Sequence, residues 1–116
     1  MSAREVLARM DRMDPNGITQ LFAEDATFAM GNGEPAVGRP AILAGSTEFL
    51  ANIKGLRHTI RSEWTVDDVT IAVADATYTR HDGKEVTIPT ASIWHVDGDG
   101  LITDYRIYSD PAPLFA

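Results

Sequence analysis

Cysteine is absent from all 116 residues, which excludes disulfides and thiolate metal sites. Lysine is nearly absent as well, with only Lys54 and Lys84 present. Ten basic residues against seventeen acidic ones leave a net charge of −7. Nucleic-acid binders neutralise phosphates with clustered Lys and Arg. Here Arg57, Arg61 and Arg80 sit among acidic residues, and no nucleic-acid partner is expected. No apolar run approaches the ~20 residues that span a bilayer. The opening "MSAREVLARM" also lacks the uninterrupted apolar stretch of a signal peptide. The expectation is a cytoplasmic protein with no membrane partner.

Motifs for bound groups are missing too. There is no P-loop, dinucleotide fingerprint or G-x-S-x-G elbow. No two of the three histidines have the i, i+4 helical spacing of a zinc pair. "DGDG" at 97–100 fails as a calcium loop, because the twelfth position from Asp97 is Tyr108 where glutamate is required. Neither a metal nor a cofactor is expected, and "DGDG" reads as a hairpin turn.

What remains is an ordinary soluble composition, 44% apolar and 23% charged, in one domain over residues 1–116. A chain of this length buries roughly 65% of its unfolded surface, enough for a core. Ser2-x-x-Glu5 is a capping box ahead of Val6, Leu7, Met10 and Met13 at helical spacing. Asp14-Pro15 opens a second helix, which Ile18, Leu21 and Phe22 make apolar on one side. "EDATFAM" is a short strand and "GNGEP" a flexible loop. Gly38-Arg39-Pro40 begins a third helix with Ile42, Phe49, Leu50 and Ile53 on one stripe, and Gly55 is its expected stop.

Four strands follow, over roughly 56–67, 69–81, 85–97 and 100–109, with turns at Asp67-Asp68, Asp82-Gly83 and "DGDG". Val69, Ile71 and Val73 share one parity and Ala76 and Tyr78 the other, which predicts a β-bulge near Ala74-Asp75. Helices first and long antiparallel strands after give the α+β class.

In "GLRHTIRSEWTVDD" the apolar set Leu56, His58, Ile60, Ser62, Trp64 and Val66 alternates with a polar set. A histidine and a serine on an apolar face have two explanations. Either they are satisfied core polars, or the face looks into a pocket.

"FAEDATF", the "VGRPAI" helix start and "DGDGLITDYRIYSDPAPLF" together resemble the SnoaL-like branch of the nuclear-transport-factor-2-like superfamily over essentially the whole chain. The resemblance implies a cone: a curved antiparallel or mixed sheet (an α+β barrel) wrapped around three N-terminal helices, with an apolar cavity open at one end. It also implies a homodimer. The superfamily includes ketosteroid isomerases, limonene-epoxide hydrolases, polyketide cyclases and scytalone dehydratase, so the site must decide the chemistry. Aligned to ketosteroid isomerase, whose carboxylate base and tyrosine–aspartate oxyanion hole are a known pattern, the base position falls on Met30, the aspartate on Ser92 and the tyrosine near Val6. One carboxylate of limonene-epoxide hydrolase falls on Ile107. Neither activity is expected.

His58 is the leading acid–base candidate, since imidazole gives and takes protons near neutral pH; the structural alternative is a core histidine bonded to Ser62 or backbone. The resemblance turns Val86, Ile88, Thr90, Ser92, Trp94 and Val96 inward, leaving His95 outside. Thr103, Tyr105, Ile107 and Ser109 turn inward by the same register. Tyr105 can donate to a developing oxyanion or simply pack. Asp110, before Pro111, either reaches the cavity mouth or caps a terminal turn. The expected pocket wall is Phe28, Met30, Phe49, Trp64, Ser92, Trp94 and Ile107, around His58, Tyr105 and Asp110 as catalytic candidates. The expected ligand is a small, largely apolar carbonyl compound. The expected reaction is cofactor-independent isomerisation, cyclisation or dehydration, the alternative being a non-catalytic binding or dimeric interaction module.

Overall fold

The computed structural model describes residues 2–116. Helix α1 spans Ala3–Asp11, and its capping box is formed: the Ser2 hydroxyl accepts from the Glu5 N–H while Glu5 reaches back. Asp14 caps α2, Pro15–Thr19, through the Asn16 N–H. Strand β1 is Phe22–Met30 and β2 is Ala36–Val37; at two residues β2 is too short for alternation to reveal. Helix α3 covers Arg39–Ala51. It ends on Asn52, short of Gly55, because Ile53 is drawn into the core and Gly55 already belongs to β3.

Strands β3 (Gly55–Val66), β4 (Val69–Thr79), β5 (Glu85–Val96) and β6 (Ile102–Tyr108) follow, then a 3₁₀ turn over Ala112–Phe115. The six strands form one sheet in the order β2-β1-β6-β5-β4-β3. Every pairing is antiparallel except β1 with β6. The fold is the expected α+β cone, but the sheet stays open, with β2 and β3 as its edges. Its concave face packs on the helices around Val6, Phe22, Ile42, Trp94, Ile102 and Tyr105, all nearly inaccessible. Ala72, Ala74 and Ala76 on β4 are buried on that face, where small side chains let α1 approach at the packing density of a protein interior.

The bulge lies in β3, not β4. Pairing runs from Gly55↔Thr79 to Ile60↔Ala74, then resumes at Ser62↔Val73, leaving Arg61 as the extra residue. Along β4 itself Thr70, Ala72, Ala74, Ala76 and Tyr78 are all buried, one unbroken parity. Val69, Ile71 and Val73 are the half-buried outer row, and their β-branched apolar character imitated an inward face. One inserted residue reverses the facing of everything beyond it. Leu56, His58 and Ile60 therefore look inward, while Ser62, Trp64 and Val66 look out, and Trp64 is 52% exposed. The expectation that Trp64 lines the pocket is overturned by this bulge. Arg61 anchors it by donating Nε and a terminal N–H to Asp75 at 2.9 and 2.5 Å.

A second irregularity sits at Thr103. Val96 pairs with Ile102 and His95 with Asp104, so Ile102 replaces Thr103 as the inward residue. Tyr105 keeps its inward place.

The two tryptophans test this register. Trp94→Ala should lose about 3–5 kcal/mol in urea denaturation, the cost of emptying a large core site. Trp64→Glu should leave the far-UV circular dichroism unchanged. An unfolded Trp64→Glu would place that indole in the core and contradict the bulge.

Candidate functional site

A cavity of about 250 Å³ opens between α3, the 31–36 segment and the inner face of the sheet. Its walls are mainly apolar: Met10, Ile18, Phe28, Met30, Ile42, Phe49, Leu50, Leu56 and Ile107. Polar groups are few, namely Glu34, Ser46, His58, Tyr78 and Tyr105. Such a lining, apolar with a handful of placed polar atoms, is what ligand sites usually have.

His58 is held from α1. Its Nδ1 lies 2.5 Å from Asp11 Oδ1, and its backbone N–H donates to Asp11 Oδ2 at 3.0 Å. An ionised carboxylate can only accept, so Nδ1 carries a proton, and in the neutral ring the lone pair is then on Nε2. Asp11 is the last residue of α1, where the helix dipole disfavours a negative charge. Two hydrogen bonds to one residue of β3 offset that local conflict. A carboxylate kept where helix electrostatics opposes it marks a site. Sequence reasoning offered Ser62 or backbone as the partner of His58 and passed over Asp11. The one available signal was an acid at the basic-favouring end of a helix.

Two buried phenols face the same space. Tyr78 is pushed up to about 12, first by burial and then by the charge of Asp11. Tyr105 is pushed further above the ordinary tyrosine value, again mainly by burial, with Tyr78 and Asp11 adding to it and a hydrogen bond with the Ser92 side chain opposing it. Both stay protonated across the physiological range, as hydrogen-bond donors. Tyr105 is also the middle ring of a ladder across three strands. Phe28 stacks on one side and Trp94 on the other, each with centroids 5.1 Å away and planes within 6° and 1°. Those three residues are direct cross-strand partners.

Of the expected site residues, Phe28, Met30, Phe49, His58, Tyr105 and Ile107 meet at the cavity. Ser92 and Trp94 face inward but lie behind it, buried at 3% and 0% exposure; Tyr105 and the wall it supports separate them from the open space. The Trp94 indole N–H has no acceptor among the described residues. Asp110 is exposed and its carboxylate accepts the Ala112 N–H at 3.0 Å. It caps the terminal turn and takes no part in the pocket. Glu34, Ser46 and Tyr78 were missed: the first sits in a loop, and Tyr78 entered the sequence reading only as a marker of strand parity.

The profile of the SnoaL-like domain family matches residues 3–105. The chain belongs to the SnoaL-like domain family. No curated protein matches it by sequence. Among solved structures it is similar to an NTF2-like protein of unknown function from Burkholderia pseudomallei, at 16% identity and TM-score 0.84, covering 99% of this chain and 96% of that one. A putative SnoaL-like polyketide cyclase from Shewanella denitrificans gives 12% identity and TM-score 0.83, covering 97% and 90%. An LEH-like epoxide hydrolase from M. tuberculosis gives 15% and 0.79, covering 97% and 82%. At these identities the likeness establishes the fold.

The raised tyrosine at 78 makes stability fall in alkali. Below pH 10 both folded and unfolded chains hold the phenolic proton; above it the unfolded chain releases a proton that the folded chain keeps until about pH 12. Stability is thus full below pH 10 and declines as pH rises toward 12. Urea denaturation at pH 9 and 11 should show a smaller loss in Tyr78→Phe than in the native chain, and equal losses would contradict the burial of that phenol.

Proposed function

We propose that this protein is a cofactor-independent enzyme of general acid–base chemistry, acting on a small, largely apolar carbonyl compound by isomerisation, cyclisation or dehydration. One observation carries this proposal: an imidazole locked by Asp11 through Nδ1, its other nitrogen free, lies in an apolar cavity beside two phenols held protonated. In the mechanism His58 Nε2 takes a proton from the carbon next to the carbonyl, and Asp11 steadies the imidazolium that forms. A phenol, Tyr105 or Tyr78, donates to the carbonyl oxygen as it gains charge. His58 then returns the proton elsewhere on the substrate. The cyclase and epoxide-hydrolase likenesses support this class of chemistry without selecting a member of it.

2-Tetralone, a neutral bicyclic ketone with acidic C–H bonds beside its carbonyl, tests the proton transfer. Exchange of those hydrogens in D₂O, followed by NMR, should be accelerated by the native chain. His58→Gln should lose about 10²–10⁴ of that rate. Asp11→Asn should lose at least about tenfold, mainly in kcat, because the ring loses its fixed tautomer. Equal exchange in all three would leave the second reading, a non-catalytic binding module. That alternative has its own support: Met30 and Ile107, aligned with carboxylates of catalytic relatives, line the cavity as apolar groups.

The outer face of the sheet supports a homodimer. Trp64, Val66 and Tyr108 are 52–66% exposed there, flanking the half-buried Ile71, Val73 and Ile93. Cross-strand pairing puts them on one side with His95, Asp104 and Arg106, so the face carries both signs of charge and can meet a copy of itself. Sedimentation at micromolar concentration should show a dimer, and Trp64→Glu a monomer. A native chain that sediments as a monomer would remove this part of the proposal.

A further inference from the structure

The ionisable groups of the cavity supply no uncompensated positive charge to an anion. Besides His58 they are Glu34 and the two phenols, with no lysine or arginine in the lining. The phenols are held neutral by burial. A protonated His58 would be matched by Asp11, already at hydrogen-bond distance. Arginines on the surrounding elements stay out of the lining: Arg39 donates to the Phe22 carbonyl and Arg106 to the Gly31 carbonyl, and Arg57 is exposed on the opposite face of β3 from Leu56 and His58. Glu34 is exposed at the rim and forms no ion pair among the described residues. A carboxylate entering this space would shed its water and find no cation, with a like charge at the entrance. The net charge of −7 adds repulsion at longer range.

Size sets a second limit. At about 250 Å³ the space is larger than the ~150 Å³ apolar cavity that accepts benzene and below the ~300 Å³ where drug-sized sites begin.

We infer that the cavity selects uncharged guests of one or two rings and rejects carboxylates, with Glu34 at its rim as a specificity-determining residue. This rests on the cavity being a binding site, as proposed above, and not on the proton transfer. Titration calorimetry at about pH 7 tests it with 2-naphthol, neutral there, and 2-naphthoate, an anion of the same ring system. The native chain should bind 2-naphthol at least about tenfold more tightly. Glu34→Gln should narrow that gap roughly 3–10-fold by strengthening naphthoate, leaving 2-naphthol within about twofold. Equal affinities in the native chain, or a gap untouched by Glu34→Gln, would overturn the inference, as would failure of both compounds to bind. Selective naphthol binding without tetralone exchange would keep it and discard the catalysis. Exchange with no charge selection would do the reverse.

Discussion

The grip of Asp11 on His58 organises the molecule at three levels. Covalently the two residues are 47 positions apart, and they join the end of α1 to the inner face of β3. One carboxylate oxygen fixes backbone and the other fixes the ring, so helix position and imidazole orientation are set by the same group. Met10, one residue earlier, contributes to the cavity wall, so this polar contact adjoins a lining that is mostly hydrocarbon.

Much of the architecture was legible from local chemistry. Capping residues Ser2 and Asp14, the turn glycines at 83 and 100 and the period-two strands all behave as their residue types dictate. The errors of facing have one physical origin. Alternation reports that a strand has two faces but not where an inserted residue exchanges them. Arg61 and Thr103 are both ordinary strand residues, and neither announces itself as a bulge. Hence Trp64 and Thr103 were assigned inward. Ser92 and Trp94 illustrate a different limit: parity correctly turned them inward, yet inward positions divide into pocket and packed interior only in three dimensions. Asp11 and Glu34 needed contacts across the fold, which spacing along one chain does not carry.

The apolar character at positions 30 and 107 distinguishes this site from sites that work through paired carboxylates. Here the only basic group in the wall is an imidazole, and the donors near it are phenols kept neutral by burial. Under the proposed carbonyl chemistry such a site would separate two demands: the imidazole would take the carbon-bound proton, while phenols held protonated by burial would face the oxygen. Charge is kept to the margins, in Asp11 behind the ring and Glu34 at the entrance.

The exchange of faces at Arg61 also bears on solubility. Strand β3 is twelve residues long and has a neighbour on one side only, which would make a straight version of it a template for pairing with other chains. An inserted residue midway breaks the regular ladder of free N–H and C=O groups and adds local twist. Arg57, Arg61 and Glu63, all exposed, place charge along the same border. The kink that turned Trp64 outward thus also guards the sheet against open-ended growth into fibres.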